Sequence, residues 1–142
     1  MAQVTINIRK AKAELERLSN NIKRAIPKSL NRAGEKTKEL IINRTARGEG
    51  LSGAFKKYAP DYREFRKEKG RSTKPDLNFS GRMLSSIDVE RVSTNKVIVG
   101  FKRKEEEKKA KWNQKSRPFF GVKSSEIGSI ETAFKKTFER NI

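Results

Sequence analysis

The chain of 142 residues has few kinds of side chain with chemistry to offer, and it contains neither histidine nor cysteine. That removes disulfide frameworks, thiol chemistry, the usual zinc site and a histidine general base together. Ser80, Ser85 and Ser86 gather near Gly81, but nothing supplies a base, and the Ser-x-x-Lys arrangement that lets lysine activate serine is missing there. Glu105, Glu106 and Glu107 are contiguous, and adjacent residues of a helix do not face together, so they read as a charged loop rather than a metal site. The expectation is a non-enzyme with no cofactor and no metal. One cluster does suggest binding. Lys56, Lys57, Arg63, Arg66, Lys67, Lys69, Arg71 and Lys74 are interleaved with Phe55, Tyr58 and Tyr62, and such a mixture can grip phosphate and stack on bases. The plainer reading is that the aromatics anchor a core and the charges are solvated. No helix-turn-helix, zinc or RNA-binding motif accompanies them.

The charge itself is the strongest compositional signal. Thirty-five Lys and Arg against seventeen Asp and Glu leave +18, far beyond the usual range for a small domain. Such an excess calls for a polyanion, an acidic partner or an assembly. It is spread along the chain: residues 1–50 carry +7, residues 51–80 carry +4 and residues 81–142 carry +7, so no basic tail can be detached. Only 33% of residues are apolar, which implies a thin core or one completed by a partner. No apolar run approaches 18 residues and the N-terminus has no signal-peptide pattern, so no membrane is expected and the chain is placed on the cytosolic side.

The elements that must position these residues follow from periodicity. Val4, Ile6 and Ile8 alternate with polar residues over 3–8, as in a short strand buried on one face. From Lys10 the period changes: Ala11, Leu15, Leu18 and Ile22 recur at three and four, and Leu30, Ala33, Thr37 and Leu40 continue beyond Pro27. An unbroken helix from Lys10 to Arg44 would be about 50 Å long. The proline therefore predicts two helical segments with a break, the alternative being a helix that projects from the body. Gly34 allows close packing. The glycine-rich segment 46–57 reads as a flexible loop, 61–69 as a short helix ended by Gly70, and IDVERV with VIVGF as a hairpin turning at Ser93–Asn95. Residues 102–111 read as a charged loop or a fraying helix. Ser124 or Ser125 can cap a last helix striped by Ile127, Ile130, Phe134 and Phe138. The expected fold class is α+β in a single domain, 1–142: an N-terminal strand, a long broken helix, a small antiparallel sheet with a hairpin, a short middle helix and a C-terminal amphipathic helix.

The ordered words GLSGAFKKYAPDYREFRKEKG (50–70), LNFSGRML (77–84), AKWNQ (110–114) and RPFFG (117–121) resemble the tailed-bacteriophage virion morphogenesis and tail-completion proteins, which serve as head–tail joining or minor tail proteins. The likeness covers the chain from about residue 47 onward; before that it is one of pattern only. It implies a structural role in the virion neck or tail end, reached from the host cytoplasm during assembly. The implied partners are further copies in a ring, usually sixfold, a neck or head-completion protein, a tail-tube or tail-terminator protein, and non-specific contact with genomic DNA. Carried over by motif, Phe55, Tyr58 and Tyr62 would anchor the loop and short helix, and Gly81 would turn Met83 and Leu84 into the core. Arg117, Pro118, Phe119, Phe120 and Gly121 would fix the segment before the last helix, with Trp112 in core or interface. Two other classes stay open: a direct, non-specific nucleic-acid-binding protein, and an adaptor or toxin that neutralises an acidic partner.

Overall fold

The computed structural model describes residues 9–78 and 80–142. The strand expected over 3–8 and the side chain of Phe79 lie outside that range. The first described element is a helix, α1 (Arg9–Ala46), which runs through Pro27 without a break. This corrects the expected pair of segments. Its 38 residues span about 57 Å, and the premise that failed was compactness, because residues 11–20 are all exposed and the first half stands out from the body. Proline removes one intrahelical hydrogen bond and crowds the preceding turn. Packing on both sides of it, at Ala25 and Ser29, holds the helix together across that gap.

The segment after α1 is not an open excursion. Two-residue strands β1 (Glu49–Gly50) and β2 (Gly53–Ala54) pair antiparallel, and Phe55 is buried behind them. Leu51 and Ser52 form the turn between the two strands, and the Leu51 N–H donates to the carbonyl of Pro118, which ties this turn to a distant segment of the chain. α2 (Pro60–Glu68) follows, and α3 (Arg82–Ser85) opens at Gly81, whose φ of +79° suits glycine. Strands β3 (Ile87–Ser93) and β4 (Lys96–Phe101) form the hairpin, in register from Ile87 opposite Phe101 to Ser93 opposite Lys96, with an irregularity between Arg91 and Ser93. The small single sheet is thus corrected to two separate two-stranded ladders.

Of the charged loop and the fraying helix that residues 102–111 allowed, the structure has a helix, α4 (Lys104–Ser116). Three glutamates in its first turn complement the helix dipole. Lys109 pairs with Glu106 at 3.2 Å and Lys111 with Glu107 at 3.5 Å, and Ala110 supplies a buried face. A 3-10 turn (Ser124–Glu126) leads into α5 (Ile127–Asn141). Neither serine caps it; the Lys123 N–H donates to the Glu126 carboxylate at 2.9 Å instead. α5 runs antiparallel to the second part of α1, from Glu126 beside Arg44 to Asn141 beside Lys28. Ile130, Phe134 and Phe138 are half-buried and Ile127 is exposed, so this stripe closes less surface than its spacing implied. The core is small: Ile41, Phe55, Tyr58, Leu77, Met83, Leu84, Ile87, Ala110 and Phe119, flanked by Ile42, Val99, Phe101 and Phe120. The hairpin packs on α1 at Gly34, where an added Cβ would lie 2.6 Å from Val89.

Candidate functional site

The distant words 50–70, 77–84 and 110–121 meet in one clasp. Arg117 donates from Nε to the Lys56 carbonyl at 2.8 Å and from Nη2 to the Lys57 carbonyl at 2.9 Å. Its guanidinium lies 4.8 Å from the centre of the Tyr58 ring, and that of Arg66 lies 5.0 Å from the same ring. The Tyr58 hydroxyl accepts the Leu77 N–H at 3.0 Å. Burial raises the pKa of that hydroxyl, the Leu77 hydrogen bond and Arg66 offsetting only part of the effect, so it stays neutral. Gln114, on α4, accepts the N–H groups of Phe119 and Phe120 at 3.1 and 3.0 Å and donates to the Phe120 carbonyl at 3.2 Å. Phe119 is thereby fully buried, while Phe120 is half-buried against Phe101 with ring centres 5.0 Å apart. Gly121 leaves room for Leu51, 2.9 Å from where its Cβ would stand.

A second fastening joins this clasp to the long helix. Arg44, 1% exposed, binds both carboxylate oxygens of Glu126 at 2.5 and 2.7 Å and donates to the carbonyls of Phe119 and Gly121 at 2.6 and 3.0 Å. Burial works against the charge of Glu126, but the Lys123 N–H and the Arg44 guanidinium outweigh it and hold the carboxyl below its usual pKa. Arg44, Gln114 and Glu126 were not singled out in the sequence. Arg44 could have been found as a cation next to the apolar stripe of a helix; Gln114, in AKWNQ, gave no sign of its role.

Between α2, α3 and α4 lies an open groove of about 800 Å³. Tyr58, Tyr62, Phe65, Met83 and Trp112 line it, with Lys108, Lys109 and Arg117 at its borders. Trp112 is 72% exposed, so it is not in the core. Met83 and Leu84 are buried beyond the Gly81 turn. Glu106 is buried with one carboxylate oxygen on Lys109 and the other without a hydrogen-bond partner among the described residues. Apolar faces ringed by cations suit contact with another protein surface.

The basic cluster does not hold together as a phosphate site. Arg66 is 1% exposed and its guanidinium is spent on the Ser72 and Asn78 carbonyls and on Asp76 at 3.3 Å. Lys67 pairs with Glu64, Lys69 lies over the Phe65 ring, and Lys74 lies over Gly48 at the far turn. Lys56, Lys57 and Arg71 are exposed, Arg63 is half-buried, and Phe55 is in the core. The serines near Gly81 are occupied locally: Ser80 accepts the Arg82 N–H, Ser85 donates to the Arg82 carbonyl and Ser86 accepts the Arg103 N–H. Among the described residues no three His, Cys, Asp or Glu side chains are grouped to hold a metal ion, and no helix is long and apolar enough to cross a membrane. The chain matches no protein-family model, no curated protein and no solved structure.

Proposed function

We propose that this chain is a non-enzymatic structural subunit of a phage neck or tail end, which assembles with further copies into a ring that joins or completes the tail. The observation that carries the reading is the projecting half of α1. Residues 11–20 are all exposed, with Leu15 at 66% and Leu18 at 44%, so an apolar helical stripe stands clear of its own subunit. A helix of this kind gains its stability from packing, and a neighbouring copy supplies the missing surface in a head-to-tail ring. The resemblance of the ordered motif words names the setting. Tyr58, Gln114, Arg117 and Phe119, all from those words, form the clasp that fixes the subunit's shape, which fits a building block better than an enzyme. The net charge of +18 makes copies repel and favours assembly against an acidic neighbour or at moderate salt.

Electron microscopy of lysates from a phage lacking the gene tests this reading. The expected outcome is DNA-filled heads and separate tails that fail to join, or tails with an unfinished end. Normal, infectious, fully joined particles would rule it out.

A further inference from the structure

The charge is densest in usable form on a face that the sequence cluster does not include. Arg24, Lys28, Arg32 and Lys36 recur at every fourth residue of α1, and Lys136 and Arg140 are one turn apart on α5. Arg32, Lys36, Lys136 and Arg140 line an open cleft of about 530 Å³ between the two helices, together with Ser125 and Ser129. The carboxylate that reaches this set is Glu39, 3.7 Å from Lys36. Arg24 and Lys28 rest on the neutral side chains of Asn21 and Asn141, at 2.6 and 3.4 Å. Arg140 donates from Nε to the Lys136 carbonyl, which leaves its outer nitrogens free of carboxylates among the described residues. Arg32 and Lys136 likewise form no ion pair among the described residues, although Glu35 and Glu39 line a shallower cleft on the other side of Arg32.

We infer that the α1/α5 cleft is a binding site for the phosphate backbone of duplex DNA. Shape and length select a polymer over a single phosphate. Arg32 and Lys36 face Lys136 and Arg140 across the cleft, and Lys28 and Arg24 continue the row beyond it, turning about 40° a step, over about 18 Å of α1 in all, a length on which a duplex presents about ten phosphates. Lining chemistry selects duplex over single strand: no aromatic side chain lines the cleft, so there is nothing for an unpaired base to stack on. Tyr58, Tyr62, Phe65 and Trp112 lie in the other groove, between α2, α3 and α4. Contacts to phosphate alone read no sequence, so binding is non-specific and steeply dependent on salt. The inference does not rest on ring assembly, since a single subunit contains the whole cleft.

Fluorescence anisotropy of the full chain with a labelled duplex, at several salt concentrations, tests it. Removing three charges by R32Q, K136Q and R140Q together is expected to weaken binding more than tenfold and to lower the logarithmic salt slope by about 2 to 3, at about 0.9 per phosphate contact. The matched triple variant K56Q, K57Q and K67Q, equal in net charge, is expected to stay near the wild-type slope. Ser129→Glu, at an exposed position that places a carboxylate in the cleft, provides a second route to the same loss should the triple variant misfold. Equal weakening by both triple variants, no binding by the wild type, or no loss on Ser129→Glu would overturn the inference. So would polyglutamate competing as well as duplex of the same charge, which would assign the cleft to an acidic protein.

Discussion

The missing side chain of Gly50 and the Arg44–Glu126 pair both fasten the RPFFG segment, and each can be tested alone. At Gly50 an added Cβ would collide with the backbone carbonyl oxygen of Pro118 and stand 2.5 Å from the Phe55 ring. The backbone on one side cannot give way, so Gly50→Ala is expected to cost about 1–3 kcal/mol in urea unfolding. Gly128→Ala, with nothing within 4 Å in an exposed helical turn, should be neutral or gain up to about 1 kcal/mol. If the two variants unfolded alike, the docking of RPFFG on the β1–β2 turn would be wrong. Glu126 adds a dependence on pH. Its folded pKa is depressed, so the stability it contributes with Arg44 is complete above the usual glutamate value of about 4.3 and is lost as pH falls through the lower folded value. Glu126→Gln is expected to cost about 3 kcal/mol at pH 7. That gap between wild type and variant should shrink below about pH 4; a gap independent of pH would remove the ion pair from the account.

Helix α1 divides into a packed half and a projecting half, and the division should be visible in amide hydrogen exchange. A free helical segment of a dozen residues is marginal in water, so amides of residues 13–22 are expected to exchange quickly in the isolated subunit and those of 29–46 slowly. In the assembled ring the first group should become protected; strong protection before assembly would mean that the stripe is already covered. The sequence showed the stripe of Ala11, Leu15, Leu18 and Ile22 and helical periodicity on both sides of Pro27. It did not show the path through Pro27, because packing at Ala25 and Ser29 decides that and a proline read alone points the other way. The same limit applies to residues 102–111. Their lack of apolar residues suggested a loop, while the pairs Glu106–Lys109 and Glu107–Lys111 and one buried alanine suffice for a helix. The β3–β4 pairing was legible because alternation and a short turn are local signals. The separate β1–β2 ladder was not, since two residues a strand carry no alternation to read and its turn is held by a hydrogen bond from Leu51 to the distant Pro118. At the site, Tyr58 and Arg117 were named by motif, whereas the burial of Arg66, offered in the sequence as a possible polyanion contact, could not be read from a run of charges.

The molecule as a whole has a small core fastened by buried arginines, an uncovered helical arm, an aromatic groove and a net charge of +18. The proposed function would account for these features together, as a subunit completed by its neighbours with its cationic surface turned toward acidic partners. The arm is the most exposed requirement of that account, because Leu15 and Leu18 are expected to contact another copy while contributing nothing to the fold of their own. The most direct measurement is the mass of the native particle, by native mass spectrometry, for wild type and for the double variant L15E/L18E, each alone and mixed with tail-tube protein. The account predicts a closed ring of one size from the wild type, complete at least in the mixture, and a folded monomer from the variant with its helix content retained. A wild type that stays monomeric under both conditions, or a variant that forms the same ring, would contradict it.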